Sequence, residues 1–512
     1  MLLALSLIPT LAAPALAKTP SLPAEARVEA ARADVTPTPT PLGSGLTFFG
    51  LYSARLTATD VVTTNPLLNG QVVGALGGSN TTSTADVTAT SAEQRLGAFF
   101  RYAPPTLDGR FALDTAFEID HGFGDASYGI GGNTGGGFGA DHVNLQTRRL
   151  NGRVQVTKDL TAVVGLQFVA DGASDPGASS LDELTRAGGR LMFVGSEASG
   201  ASLYGKVRDA HGNELGRYRL GAYTLWEQAV GVADDVTLWM ADAQVTPAYA
   251  TRAGVHAWFL SDTAGGAAGL FGSGPTSALS ELQGGPRLAL PDDGDPDTTP
   301  APDTQVLWLS ADAGYNAGLD KGDFGATAVF VGNLGLLDGT AVTPVGIQGG
   351  LFDAEARYRW APGAGSVLRA EALYATADGE GSDYYTGVLT ANSWGIVGAV
   401  QTTHGCYLLF PDARAINRQV AAVYDVSNAG RGLLAVTGSA GWDAIPNRMT
   451  VALGGGHALA GDGAAMGTEV NARLTYKPWT LGEVGLHAGQ LLGTELPEDP
   501  WVLFTSLDAM VF

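Results

Sequence analysis

Charged side chains recur at every second position along several short segments of this sequence, with apolar side chains between them. In RFALDTAFEIDH, Asp114, Glu118 and Asp120 share one face of an extended chain, and Leu113 and Ile119 share the other. Such alternation is the pattern of a β-strand with two chemically different faces. Arginines and carboxylates that face each other across water create a transverse electric field, which filters charged solutes. The pattern therefore predicts a solute pathway.

Counting parity along these segments assigns one set of charged side chains to an inner, water-facing surface. The candidate pore-lining residues are Arg95, Arg101, Asp114, Glu118, Asp120, Arg149, Arg153, Asp353, Glu355, Arg357, Arg359, Arg369, Glu371, Glu469 and Arg473. The alternation slips in LQTRRLNGRVQV, where a bulge around Arg148 and Arg149 would restore it and aim Arg149 and Arg153 inward. A second interpretation stays open, in which arginines and carboxylates pair along the wall to satisfy one another.

Other residues that could carry chemistry form no convincing site. The stretch PDDGDPDTTPAPD contains Asp292, Asp293, Asp295 and Asp297, whose carboxylate oxygens suit Ca²⁺. It lacks the spacing of an EF-hand, so the sequence favours a solvated loop and no metal. The histidines are scattered without paired spacing, and no GxSxG elbow is present. We therefore predict no catalytic residues, no cofactor and no enzymatic activity.

The segments that alternate are about ten residues long, and the connections between them alternate between short and long. This is typical of membrane barrels, which have short periplasmic turns and long extracellular loops. The pattern predicts an all-β fold, a transmembrane antiparallel up-and-down barrel of about 18 strands (16–20 possible) over residues 45–512. The assigned segments are odd in number, while such barrels have an even number. At least one assignment is therefore wrong, and the suspected regions are 187–233 and 393–417, where the up-down parity fails. The assigned strands include 187–196, 393–401 and 418–427.

Composition and the N-terminal region agree with an exported membrane protein. Residues 1–17 form a short apolar run ending in Ala-Leu-Ala, which predicts a signal peptide. Residues 18–44 are rich in Pro and Ala and predict a periplasmic N-terminal tail. The net charge of −22 argues against nucleic acid as a partner, because phosphate binding requires Lys and Arg. The single cysteine excludes a disulfide framework.

Aromatic residues fall near the segment ends, where barrels carry girdles at the two membrane interfaces. Phe49, Trp258, Tyr358, Trp360 and Trp479 are examples. Soluble sandwich cores also contain such aromatics, which is the alternative interpretation.

Three pieces carry a resemblance to a known group of proteins: DHVNLQTRRLNGRVQV, LFPDARAIN, and GTEVNARLTYKPW followed by the terminal strand WVLFTSLDAMVF. In the last strand, Phe504, Met510 and Phe512 share one parity. The chain resembles the porin-like outer-membrane channels of Gram-negative bacteria, the group that includes the alginate-export barrels. Alginate-export barrels line the lumen heavily with Arg, whereas the inner set here is mixed in sign, so a polyanion substrate is in doubt.

The resemblance implies a barrel of 16 to 18 strands in the outer membrane that admits small or anionic solutes. It also implies contact with the lipid bilayer and lipopolysaccharide, and recognition of the C-terminal Phe512 by the barrel-insertion machinery.

Three functions compete at this point. A passive channel for small hydrophilic solutes requires a wide barrel with mixed inner charges and loops that fold inward. A sheath enclosing a partner protein, as in electron-conduit complexes, requires a smooth and sparsely charged lumen. An outer-membrane enzyme requires a Ser-His-acid group converging from separate strands. The sequence favours the channel and leaves solute identity and oligomeric state open.

Overall fold

A computed structural model describes residues 40–41, 45–63, 72–77, 82–107, 109–123, 144–170, 195–226, 236–263, 303–339, 342–379, 384–389, 405–412, 415–416, 418–423 and 426–511. Several predictions fall outside these residues. They are the signal peptide over 1–17, nearly all of the tail over 18–44, the Asp292–Asp297 loop, the strand over 393–401, and Phe512.

The described chain forms one closed ring of 18 antiparallel strands. Each strand pairs with its neighbours in sequence, and the first pairs with the last, with Thr57 opposite Phe504. The strands are β1 Leu46–Thr63, β2 Thr82–Tyr102, β3 Phe111–Phe123, β4 Asn144–Thr157, β5 Leu160–Ala170, β6 Gly195–Arg208, β7 Glu214–Trp226, β8 Val236–Val245, β9 Thr251–Asp262, β10 Asp303–Tyr315, β11 Phe324–Gly339, β12 Val342–Arg359, β13 Val367–Ala375, β14 Leu433–Ile445, β15 Met449–Leu459, β16 Ala465–Trp479, β17 Gly482–Leu492 and β18 Trp501–Val511. The predicted antiparallel barrel of about 18 strands is confirmed.

The ring has an even number of strands, so at least one of the predicted strands is not part of it. Residues 418–427 are not a barrel strand, because Arg418–Ala421 pairs in parallel with Val72–Ala75, a short segment between β1 and β2. Residues 187–194 lie outside the described chain, and 195–196 begin β6. Another short pair, Tyr384–Tyr385, lies parallel to β12 at Gly346 and Ile347. Both parallel pairings involve chain that connects barrel strands.

Alternation fixes which face of each strand points inward. In β3, Leu113 and Ile119 are exposed on the outer surface, whereas Asp114, Glu118 and Asp120 are buried. In β12 and β16 the same alternation leaves Phe352, Tyr358 and Val470 outside. Eight short turns join the strands at one end of the barrel, the end at which β1 begins and β18 stops.

The hydrophobic core lies inside the barrel, mostly in the strand halves next to the long connections. Its wall contributes Trp258, Trp308 and Leu238, and the chain between β13 and β14 contributes Leu409 and Phe410. A buried lumen-facing core of this size exists because chain segments fill part of the lumen and remove these side chains from water.

Some predicted interface aromatics belong to this interior. Trp258 is 0% exposed and Phe49 is 1% exposed, and both face inward, so the prediction that they lie in an interface girdle is wrong. Tyr358, Trp360 and Trp479 do lie on the outer surface close to the short turns, each about half exposed. Four more exposed aromatic residues lie on the outer surface at the same end: Tyr102, Tyr315, Phe324 and Trp442. One aromatic belt is therefore present at the turn end.

Candidate functional site: a charged lumen crossed by a connecting segment

All of the predicted pore-lining residues lie on the inner face of the barrel. They come from two groups of strands: β2, β3 and β4 on one side, and β12, β13 and β16 on the other. The β3–β4 register shifts between Ala116 and Phe117, so that Arg148 is left without a directly opposite residue. This bulge puts Arg149 and Asn151 on the inner face, with Arg153 at the same parity.

On the β2–β4 wall the charges pair with one another. Arg95 makes two hydrogen bonds to the carboxylate of Asp120, at 2.8 and 2.9 Å. Arg101 binds Asp114 in the same forked geometry, at 2.7 and 2.9 Å. Two-bond arginine–carboxylate pairs are strong and directional, especially when buried. This wall therefore corresponds to the interpretation in which the charges satisfy each other.

The β12–β13 wall has a different arrangement, with like charges directly opposite each other. Glu355 faces Glu371, and Arg357 faces Arg369. Like charges in this position destabilise a strand pair unless other groups compensate. Arg357 is compensated by a forked contact with the carboxylate of Glu355 along its own strand. Arg369 makes neither a hydrogen bond nor an ion pair with any described residue, but the nearby carboxylates of Glu355 and Glu371 attract its guanidinium.

A segment of the chain between β13 and β14 is anchored to the lumen wall at Glu469 of β16. The carboxylate of Glu469 accepts hydrogen bonds from the backbone N–H groups of Tyr407, Leu408 and Leu409, at 2.8, 2.9 and 2.7 Å. Asn471, two residues along the same face, donates to the carbonyl of Gly405. One buried carboxylate thus satisfies three successive backbone donors that would otherwise be unpaired inside the barrel.

Further contacts tie this segment to the strands at the seam of the barrel. Arg55 of β1 forms an ion pair with Asp412 at 2.8 Å, and Arg95 of β2 donates to the carbonyl of Ile416 at 3.3 Å. The hydroxyl of Tyr407 lies 3.0 Å from Nδ1 of His487 on β17. We call residues 405–416 the luminal segment, of which the structure describes 405–412 and 415–416.

The Tyr407 contact belongs to an aromatic stack on the inner wall. The rings of His487 and Phe504 lie parallel at 4.3 Å, and the guanidinium of Arg55 sits 3.5 Å above the Phe504 ring. Phe504 therefore faces the lumen, at 3% exposure. The lipid-side residues of β18 are instead Leu503, Thr505, Leu507 and Ala509.

An earlier part of the same connection lies against the opposite wall. The indole N–H of Trp308 on β10 donates to the carbonyl of Leu389 at 2.9 Å, and the N–H of Leu389 donates to Asn333 of β11 at 3.3 Å. In a ring of 18 strands, β11 lies nine strands from β2 in either direction. The connection between β13 and β14 therefore reaches both sides of the lumen and narrows it.

Glycines of β15 let the luminal segment approach the wall. A Cβ at Gly454 would lie 3.4 Å from the carbonyl oxygen of Gly405 and 2.8 Å from the side chain of Asn471. A Cβ at Gly456 would lie 3.3 Å from the Leu409 side chain and 2.8 Å from that of Thr437. Larger side chains here would push the segment away from Glu469.

The sequence predicts no functional role for the luminal segment, apart from the resemblance of LFPDARAIN to porin-like channels. The signal that could have found it is the apolar run Tyr407–Phe410, which lies in a long connection and lacks the alternation of a membrane strand. Cys406, at the start of this run, is buried in the core as an apolar filler.

Cys406 provides a probe of the luminal segment. Burial, with the nearby carboxylates of Glu469 and Glu371 adding to it, raises the pKa of the Cys406 thiol well above its usual range. The thiolate is the reactive form, so at pH 7.5 we expect maleimide to label the folded barrel at least about 100-fold more slowly than the denatured chain. Mass spectrometry of timed samples measures this ratio. Equal labelling rates would show that the segment does not stay in place.

A second buried polar cluster lies on β7–β10, outside the predicted set. Asp242 accepts hydrogen bonds from Arg219 at 2.7 Å, from Trp258 at 2.9 Å, and contacts Nδ1 of His256 at 2.7 Å. Ser310 lies directly opposite His256, which brings an acid, a histidine and a serine onto adjacent strands. The Ser310 hydroxyl, however, makes no hydrogen bond in the described chain. The cluster is thus a buried ion-pair network and lacks the hydrogen-bonded serine of a catalytic triad.

Comparison with known proteins gives structural neighbours but no sequence relatives. No protein-family model matches the chain, and no curated protein matches it. The barrel is similar to OccK5 (OpdH) of Pseudomonas aeruginosa, with 10% identity, 91% of this chain and 98% of that chain covered, and a TM-score of 0.47. It is similar to a BenF-like porin from Pseudomonas fluorescens Pf-5, with 10% identity, 91% of this chain and 98% of that chain covered, and a TM-score of 0.46. It is also similar to OprB of Pseudomonas putida, with 10% identity, 92% of this chain and 95% of that chain covered, and a TM-score of 0.42.

These neighbours are outer-membrane porins of Gram-negative bacteria. They belong to the broad group of porin-like barrels that the sequence resembles. Within the described part of the chain, no helix is long and apolar enough to cross a membrane. The same residues contain no cluster of His, Cys, Asp and Glu suited to a metal ion.

Proposed function

We propose that this chain is an outer-membrane channel of a Gram-negative bacterium that allows passive diffusion of small hydrophilic solutes. The observation that carries the proposal is the closed 18-strand ring with an apolar outer face and a charged inner face. The many charged side chains of the inner face support an aqueous lumen, since charges are costly in an apolar interior. A ring of this size has room for an aqueous path.

The luminal segment defines where the path is narrow. It is fixed at Glu469, Arg55 and Arg95 and so occupies the lumen on the seam side. Solutes would pass along the remaining space, where the β12–β13 wall presents Arg369. The ion pairs and the inward-folding segment support a channel over a sheath, since a sheath requires a smooth and sparsely charged lumen.

The first test is single-channel conductance of the refolded protein in a planar bilayer. Stable stepwise currents are expected, and the reversal potential in a salt gradient gives the sign of ion selectivity. Heat-modifiable migration on a gel verifies that the barrel is folded in the same sample. A correctly folded barrel that conducts no ions would contradict the channel and make a filled barrel the leading alternative.

A further inference from the structure

An apolar groove lies on the outer face of the barrel, across strands β5 to β10. It encloses about 660 Å³, a volume typical of sites that hold small ligands. The ring of strands is closed, so side chains of outward parity on these strands face the membrane and not the lumen. The groove is therefore open to the lipid side.

Four alanines form the floor of this groove. Ala201 of β6 lies directly opposite Ala222 of β7, and Ala241 of β8 lies directly opposite Ala257 of β9. The β7–β8 register pairs Ala241 with Leu220, so the floor steps two residues along the strands between β7 and β8. Neighbouring strands are about 4.8 Å apart, so the floor extends about 14 Å across the four strands.

Larger side chains border the floor on both sides. Leu203 and Leu220 lie directly opposite each other and form a ridge on the short-turn side of the floor. Trp239 and Phe259, which also lie opposite each other, form the ridge on the other side. Their rings stack at 5.7 Å with 25° between the planes. The groove thus has a low floor between two bulky walls.

The lining provides hydrocarbon surface and no charge. All of the lining residues lie in the described chain, and those of outward parity are Ala, Val, Leu, Phe and Trp. Ser202, which also borders the groove, has inward parity and bonds to Gln167 inside the barrel. Apart from the indole N–H of Trp239, no outward side chain here can form a hydrogen bond. Polar groups of a ligand would stay unpaired in this groove, which is costly, so a hydrocarbon chain is the chemistry that fits it.

The shape of the groove favours a lipid chain over a second copy of the barrel. The wall of a closed ring is convex, so a second barrel would touch the two ridges and leave the floor empty. Apolar surfaces associate in a membrane through close packing, because the lipid is as apolar as the side chains. An unfilled gap loses dispersion contacts. A flexible acyl chain, in contrast, can lie along the floor and touch both ridges.

The position of the groove along the strands indicates which leaflet supplies the chain. Barrel strands tilt by about 35–45°, so each residue adds about 2.5 Å of height. Val164, at one end of the groove, is four residues from Leu160, where β5 begins at the turn end. Leu307, at the other end, is eight residues from Tyr315, where β10 stops at the turn end. These separations correspond to heights of about 10 and 20 Å in an apolar band about 25 Å tall. The groove therefore begins in the half of the membrane next to the short turns, which are periplasmic in such barrels.

We propose that this groove holds one acyl chain of a phospholipid from the leaflet at the short-turn end. The groove retains this lipid more tightly than the remaining outer face retains its bilayer neighbours. The inference goes beyond solute diffusion, because it assigns a ligand to the outer face of the barrel. It requires a membrane-embedded barrel and does not require an open lumen, so lipid retention and conductance can fail separately.

Tryptophan quenching by a brominated lipid tests the proposal. The full-length refolded barrel in non-ionic detergent is titrated with phosphatidylethanolamine whose acyl chains carry bromine. The Trp239 signal is the difference between the unmodified protein and W239F. Trp360 lies on the outer face away from the groove and has the same exposed fraction, 45%, so W360F gives a matched signal.

Each signal is normalised to its own maximal quenching, so the depth of the bromine does not enter the comparison. We expect Trp239 to be half-quenched at a lipid-to-protein ratio at least about fivefold lower than Trp360, because the groove contacts the chain from the floor and both ridges. Equal ratios for the two tryptophans would overturn the proposal.

Filling the floor provides a second test. Ala201 and Ala222 are exposed to the membrane, so A201F/A222F occupies the groove without entering the barrel interior. Native mass spectrometry counts the lipids on barrels extracted from vesicles of phosphatidylethanolamine and lipopolysaccharide. We expect one retained phospholipid on the unmodified protein and at least about tenfold lower occupancy on the variant, since its contact surface is lost. The matched control is A356F/A370F, at two exposed outward alanines that lie opposite each other on β12 and β13. It should keep the lipid.

Heat-modifiable migration verifies that each variant is folded, and the Trp239 titration decides the question if A201F/A222F does not fold. Equal loss of phospholipid from both double variants would overturn the proposal in favour of unspecific lipid contact. Retention of lipopolysaccharide in place of phospholipid would overturn the assigned leaflet. An oligomer of the unmodified chain that A201F/A222F dissociates would assign the groove to a second copy instead.

Discussion

Replacing Glu469 by Ala should release the luminal segment and raise the single-channel conductance. The variant removes the acceptor for three backbone N–H groups, at Tyr407, Leu408 and Leu409. Each such bond contributes about 1 to 1.5 kcal/mol net, and more when the acceptor is charged. A combined loss of about 3 to 5 kcal/mol increases the population of the displaced segment by roughly two to four powers of ten. We expect larger conductance steps with more frequent transitions.

Two variants separate this effect from general damage to the barrel. In Glu469→Gln one carbonyl oxygen remains as an acceptor, so its conductance should lie between those of the unmodified protein and Glu469→Ala. Asp443→Asn alters another buried wall carboxylate, which binds the Gly365 N–H and the Thr450 hydroxyl near the short turns and does not hold the luminal segment. Its conductance should be unchanged. An increase of the same size in Asp443→Asn would refute the anchoring role of Glu469.

Labelling of Cys406 gives an independent readout of the same event. If Glu469→Ala displaces the segment, the buried thiol is exposed and maleimide labelling accelerates. Higher conductance without faster labelling would mean that a different part of the lumen had opened.

The inner and outer faces of most strands could be predicted from sequence because charge and hydropathy alternate with period two. Asp353 and Glu355 on β12, for example, can face only the lumen if Phe352 and Tyr358 face outward. The same rule fails where both faces are apolar. On β9, Trp258 and Leu260 point inward while Val255 and Ala257 point outward, and parity alone cannot say which side is the lumen.

The connection between β13 and β14 explains those failures in physical terms. Where the lumen contains only water, polar inner side chains are stable. Where the chain itself fills part of the lumen, apolar inner side chains are stable because they pack against it. Phe504, Trp258 and Trp308 therefore belong to a core that no single strand reveals. The assigned strand over 418–427 failed for the same reason, since Arg418–Ala421 forms a β-pair with Val72–Ala75 between barrel strands and not within the ring. Long-range contacts of this kind leave no local pattern.

The sequence also could not predict which individual charges form ion pairs. Parity placed Arg95 and Arg101 on the same inner face as Asp114 and Asp120, but it left filtering and mutual pairing open. The structure shows forked ion pairs on the β2–β4 wall, whereas on the β12–β13 wall Arg369 forms no hydrogen bond or ion pair with a described residue. The difference arises from the cross-strand register. On the β12–β13 wall it pairs residues of like charge, and on the β2–β4 wall it brings arginines within reach of carboxylates.

Replacing Asp242 by Ala should destabilise the barrel strongly. Asp242 is the single carboxylate hydrogen-bonded to Arg219 in the described chain, and both side chains are fully buried. Removing one partner leaves a buried cation without compensation, which costs about 3 to 5 kcal/mol. It also removes the acceptors for Trp258 and His256. We expect a lower midpoint for unfolding in urea, measured by tryptophan fluorescence of the detergent-solubilised barrel.

The double variant R219L/D242L tests whether the loss comes from the unpaired charge. Replacing a buried ion pair by apolar residues of similar size is often neutral, because the cost of desolvating both charges disappears. Its stability should therefore be much closer to that of the unmodified protein than to that of Asp242→Ala. If the double variant is as unstable as the single one, the network stabilises the wall through its hydrogen bonds to Trp258 and His256. Trp258 lies directly opposite Trp308, which holds Leu389 of the crossing connection. In that case the same variant should also shift the conductance, since the path from Asp242 to the connection runs through these two indoles.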